Sequence, residues 1–148
     1  MEKITFDTGI RAFKINGRGV LRFNPGDPNV YARLLDALDD IKAVEKELVD
    51  QSGGAAQADG AAVLRLITQA DKRMKEILTS VFGPENDFNE IMGGVNAMAV
   101  CDNGERAITN LLNVLMPIVQ EGAKRCAKQQ ADIAVAEARA ARSQREKK

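Results

Sequence analysis

Ile4–Pro28, ITFDTGIRAFKINGRGVLRFNPGDP, carries three of the chain's five phenylalanines, four of its 12 glycines and two of its four prolines. Ile4 and Phe6 alternate with Lys3, Thr5 and Asp7. Phe13 and Ile15 alternate with Ala12 and Lys14, and Leu21 and Phe23 with Arg22 and Asn24. Period-two alternation of aromatic and β-branched residues predicts strands. NGRG at 16–19 predicts the turn between them, because Asn and Gly accept positive φ. The phase breaks near Thr8–Gly9, which predicts a turn or bulge there. The stretch therefore reads as a two- or three-stranded antiparallel meander with its Phe side chains on one apolar face. So small a sheet is marginal alone, and helices must cover that face.

The helices follow directly. Asp27 fits an N-cap and Pro28 the first helical position. Leu34, Leu35, Leu38, Ile41 and Leu48 then recur at helical spacing to about Asp50. QSGGAAQADG at 51–60 reads as a flexible linker or loop. A second helix is expected from about Ala61 to Phe82, stopped by Gly83–Pro84. Asp87 with Glu90 predicts a short capped helix that ends at Gly93–Gly94. Asp102 with Glu105 repeats that spacing before a long apolar stripe: Ile108, Leu111, Leu112, Leu115, Ile118 and Val119. Pro117 inside it predicts a kink.

The fold class expected is α+β: an N-terminal hairpin or meander packed on a three- to four-helix bundle, with a protruding C-terminal helix. Residues 1–122 form one domain in this reading, and 123–148 a charged, Ala-rich tail. Formal charge is zero, from 21 basic and 21 acidic residues. That neutrality hides an acidic first helix and a basic tail.

Composition excludes several kinds of chemistry. The chain has no histidine, the commonest general base and metal ligand. Cys101 and Cys126 match no zinc spacing and have no histidine to activate them. They are expected to be structural thiols, with Cys126 continuing the apolar stripe. MEKITFDTG lacks the apolar core of a signal peptide, and no apolar run is long enough for a membrane span, so a cytoplasmic location is expected. Asp36 and Asp40 share a helix face but have no third ligand group, and PENDFNE lacks calcium-loop spacing. No catalytic residue, metal or cofactor is assigned.

Two surfaces remain. Arg11, Lys14, Arg18 and Arg22 read first as solvated positions of the hairpin, with Arg11 at the exposed start of its strand, and in the alternative as an anion- or nucleic-acid-facing surface. A phosphate loop is not expected, since Gly-x-Gly here leads into a strand rather than a helix N-terminus. The aliphatic residues Leu34, Leu38, Ile41, Leu111, Leu115 and Ile118 read either as core or as a groove for a partner's helix.

FDTG at Phe6–Gly9, INGRG at Ile15–Gly19, FNP at Phe23–Pro25, Asp27, Tyr31 and RLLDALDD at Arg33–Asp40 carry a resemblance. VFGPENDFNEIMGGVNAMA at Val81–Ala99 adds to it. Together these resemble small phage and prophage proteins of Gram-positive hosts that group with the tail assembly chaperones of long-tailed phages. The resemblance covers most of the chain outside the linker and tail. It implies a non-enzymatic protein that binds the tape-measure protein in the host cytoplasm, keeps it soluble, helps recruit tail-tube subunits and is absent from the finished particle. Some members are also made in a longer, frameshifted form. The alternatives are a structural tail or connector subunit, and a small nucleic-acid-binding regulator using the basic hairpin and tail. A homo-oligomer is compatible with each.

Overall fold

The computed structural model describes residues 1–55 and 59–147. The order of elements is β1 (Arg11–Ile15), β2 (Gly19–Phe23), α1 (Pro28–Ala55), α2 (Gly60–Phe82), α3 (Phe88–Ile91) and α4 (Ala107–Glu146). This is the expected α+β class, with the hairpin first and a long helix last.

β1 and β2 pair antiparallel with Phe13 opposite Leu21 and Arg11 opposite Phe23. Asn16 and Gly17 both have positive φ, 52° and 72°, the pair that a type I′ turn requires. The Arg18 amide closes this turn on the Ile15 carbonyl at 3.0 Å. Leu21 and Phe23 are buried, and Lys14 and Arg22 stand on the wet face. The third strand does not form. Residues 1–10 are irregular and exposed, with Ile4 at 91% and Phe6 at 80%. The cause lies at Thr8–Gly9. The Gly9 amide donates to Asp7 Oδ1, and Asn24 Nδ2 donates to the Thr8 carbonyl. Gly9 has φ 73°, so the expected turn is present, and with Thr8 tied to the residue just beyond β2 the arm does not pair as a third strand.

α1 begins where Asp27 and Pro28 place it, with Asp27 Oδ1 accepting from the Asn29 amide. It runs to Ala55, through residues 51–55 that the sequence assigns to a linker. Residues 56–58 of that linker lie outside the described residues. Asp59 caps α2 through the Ala61 amide. α1 and α2 are antiparallel: Arg33 Nε donates to the Val81 carbonyl, and Glu47 meets Arg73.

The hairpin closes one end of the helices through a chain of rings. Phe13 stacks on Phe23 at 5.1 Å, Phe23 meets Phe82 edge-on at 5.0 Å, and Phe82 leans on Phe88 at 5.9 Å. Leu21, Leu34, Met74, Leu78, Ile108 and Leu115 fill the centre and are almost fully buried. Asp87 caps α3 as expected, and α2 stops at Gly83, φ 113°.

Asp102 and Glu105 do not start the last helix. α4 begins at Ala107, where the amides of Ala107 and Ile108 donate to the carbonyls of Ala99 and Ala97. A backbone loop thus satisfies amides that a side-chain cap would otherwise serve. α4 then runs unbroken through Pro117 to Glu146, so the tail is the outer half of one helix rather than a separate element.

Two polar nodes inside this frame were not singled out from the sequence. Asn86, 3% exposed, bonds both backbone groups of Arg22 and the Phe82 carbonyl. Lys75 pairs with Asp71 at 2.9 Å and donates to the Val95 carbonyl, while Asp71 accepts from the Ala97 amide at 2.7 Å. The pair thereby fastens the loop before α4 onto α2. Lys75→Met is expected to cost about 2 kcal/mol in urea unfolding. That is less than the loss of one partner of a fully buried pair, because both heads keep some water. An unchanged midpoint would mean that Asp71 holds the loop unaided.

Candidate protein-interaction site

The six aliphatic residues proposed as a groove do not form one. Leu34, Ile41, Leu111 and Leu115 are buried in the core, where the hairpin, α1, α2 and α4 already cover them. Leu38 and Ile118 are half-buried and pack against it. The chain's own elements use the stripe that the sequence left open between core and groove.

Apolar surface is exposed elsewhere: at Leu35 and Val49 on α1, Leu64 on α2, Val100 in the loop before α4, and in three further places. The first is a groove of about 360 Å³ lined by Ile15, Met92, Val95, Leu111 and Val114, with Cys101 at its side. The hairpin tip, the end of α3 and the first turns of α4 converge there, and Val95 and Val114 remain exposed on its rim. The second is a shallower groove of about 480 Å³ where Phe13 and Pro25 face Pro117, Ile118 and Arg125. The third is the N-terminal arm.

α4 supplies a fourth surface of another kind. From Ala127 to Glu146 every residue is exposed. At 1.5 Å per residue this is about 30 Å of helix standing clear of the body. Its stripe does not stop where the body does. Leu112 and Val119 are buried, and Cys126, Ile133 and Ala140 follow at intervals of seven. Ile108, Leu115 and Gly122 run beside them, continued by Gln129 and Ala136. This three-and-four alternation is the seam along which a second helix packs. Cys126 is therefore half-buried at the edge of the body rather than enclosed, and Cys101 is half-buried in its groove.

The charged candidates fall into place separately. Arg11, Lys14, Arg18 and Arg22 are all exposed. Lys14 and Arg22 share the outer face of the hairpin, Arg18 sits in the turn, and the Arg11 guanidinium lies 5.7 Å above the Phe13 ring. Arg11 is thus partly engaged, and the basic set is spread over two faces and a turn. Asp36 and Asp40 are exposed on α1, and among the described residues no group of three or more His, Cys, Asp or Glu could hold a metal ion.

On α1, the hydrogen bond and charge of Arg73, 2.6 Å away, hold the Glu47 carboxyl below its ordinary range, and Gln51 adds a further bond. A lowered folded-state value stabilises above the unfolded carboxylate range and is lost as pH falls through it. On so exposed a pair the effect is small. Among the described residues no helix is long and apolar enough to cross a membrane.

Comparison with protein-family models, with curated proteins and with solved structures found no match.

Proposed function

We propose that the chain is a non-enzymatic assembly chaperone of a long-tailed phage. In this reading it packs against apolar helical faces of the tape-measure protein in the host cytoplasm, with tail-tube subunits as further partners. The observation that carries the reading is the outer half of α4. A helix without a core of its own gains little from propensity and is stabilised mainly by packing an apolar face. Here the seam continues outward through Cys126 and Ile133 with nothing of this chain beside it. At its root, Phe13, Pro117 and Ile118 line a groove that could receive the end of a partner's helix. A long, apolar-striped tape-measure protein offers that kind of helix, and the resemblance of Phe6–Asp40 and Val81–Ala99 points to it.

Co-expression tests this. In this reading a tape-measure protein from the same genome is expected to be soluble with the wild type and insoluble with Ile133→Asp, a change at an exposed site outside the core. Equal solubility of the tape-measure protein with and without this chain would end the reading. Mass spectrometry of purified virions separates it from a structural subunit, which would remain in the particle.

A further inference from the structure

The edge of the α4 seam carries a charge order of its own. Arg125, Asp132, Arg139 and Glu146 recur at intervals of seven, each one residue before or after the same heptad step as Cys126, Ile133 and Ala140. They therefore line one flank of the seam, with signs that alternate along it. All four are exposed, and among the described residues none joins an ion pair. The remaining cations of the outer half, Lys128, Arg142 and Arg145, fall on the far side of the helix by their spacing.

A flank of alternating signs complements itself when it is reversed. In an antiparallel pair of identical helices the same flank of each lies against that of the other, about a two-fold axis. With that axis between Ala134 and Val135, Arg125 meets Glu146 and Asp132 meets Arg139, each twice, so every charge on the flank finds its opposite. The same register sets Ile133 against Ala136, Gln129 against Ala140 and Cys126 against Ser143 of the second copy. Each longer side chain thus faces a short one. On the other flank Gln130 faces Glu137, an amide against a carboxylate.

The neighbouring arrangements are penalised. A slip of one heptad sets Arg125 against Arg139 and Asp132 against Asp132. The opposite slip sets Arg139 against Arg139 and Asp132 against Glu146. A parallel pair brings Asp132 to Glu137 and leaves both arginines opposite glutamine. Like charges therefore reject each alternative that the small side chains would tolerate. The overlap Cys126–Ser143 is about 27 Å of helix. It begins where the body ends, since Gly122 is buried and every residue from Ala127 to Glu146 is exposed. With one large apolar side chain per helix, the contact belongs among the small specific interfaces, below about 1,200 Å², which form and separate with concentration.

We propose that two copies of this chain pair antiparallel through the outer halves of α4, centred between Ala134 and Val135. The pairing covers the seam in the free protein, and a tape-measure helix on the same seam takes the place of the second copy. It does not rest on the tape-measure reading, because it is measured on the chain alone.

Sedimentation equilibrium of the full chain is expected to move from the 16.1 kDa chain mass towards twice that value as concentration rises. Asp132→Arg sets arginine against arginine twice and is expected to weaken the pairing about tenfold. Asp132→Arg/Arg139→Asp exchanges the two signs and is expected to restore wild-type pairing. Both positions are exposed, so the melting midpoint of the body should not move in either variant. A thiol reads the orientation. In a Cys101→Ser background, Ser143→Cys is expected to give, on mild oxidation, a disulfide between Cys126 of one copy and the introduced thiol of the other. Within one helix these positions lie about 26 Å apart and cannot close on each other. A single-chain mass at every concentration, a double variant as weak as Asp132→Arg, or peptide maps that join Cys126 to Cys126 would each overturn the proposal.

Discussion

Replacing Asn86 by alanine is expected to lower the unfolding free energy by about 3 kcal/mol, at roughly 1 kcal/mol per lost hydrogen bond with more for an acceptor left buried. The carboxamide makes three bonds at 2.8–2.9 Å: Oδ1 accepts from the Arg22 amide, and Nδ2 donates to the carbonyls of Arg22 and Phe82. The side chain is 3% exposed, so water does not simply replace it. It joins β2 to the end of α2, the same seam that Phe23 and Phe82 fill with their rings. Asn86→Asp separates hydrogen bonding from packing. One carboxylate oxygen still accepts from Arg22, but the other faces two carbonyl oxygens with no proton to share. That raises the folded-state carboxyl pKa above its unfolded value. The variant should therefore be least stable at neutral pH and recover part of the loss as pH falls through the carboxylate range. Urea midpoints across that range check it. If Asn86→Ala matches the wild type, the β2 edge is held by the rings alone.

The parts of the fold that were legible in the sequence are those set by neighbours in the chain. Asn16–Gly17 specifies its turn, Asp27–Pro28 starts α1, Gly83 ends α2 and Asp87 caps α3, each through bonds spanning a few residues. Two of the errors arise where a distant residue decides. Ile4 and Phe6 have strand alternation, yet Asn24 fixes Thr8 so that they meet no partner strand in the chain. Gly53 sits where a linker was expected, yet α1 continues through it to Ala55. Asp102 and Glu105 have capping spacing, yet carbonyls from Ala97 and Ala99 receive the first amides of α4.

The candidate site shows the same limit. Helical periodicity correctly put Leu34, Ile41, Leu111 and Leu115 on inward faces, but periodicity is blind to whether a face meets its own chain or a partner. Asn86 and Lys75 carry no local signal of burial at all. Lys75 follows Asp71 by one helical turn, as many solvated pairs do, and only the loop at Val95–Ala97 makes that pair structural.

Gly122→Ala should lower stability by about 3 kcal/mol, and Gly53→Ala should raise it by about 0.5–1 kcal/mol, although both replace a glycine within a helix. Helix propensity alone favours alanine at both sites. The surroundings reverse the sign at one of them. A Cβ on Gly122 would be driven into the Pro25 carbonyl and would lie 3.0 Å from the Gly26 amide nitrogen. These are backbone atoms of the segment joining β2 to α1, and no side-chain rotation relieves the overlap. Displacing that segment also strains the Asn24 node, where Oδ1 accepts from Gly26 and Nδ2 donates to Thr8. The cost of overpacking therefore spreads to the root of the N-terminal arm. At Gly53 nothing lies within 4 Å of the added carbon, so only the lower entropy of the unfolded chain is felt. Paired urea titrations decide it. If Gly122→Ala gains stability, α4 does not cross the Pro25–Gly26 segment this closely. If Gly53→Ala gains nothing, α1 ends before that residue in solution.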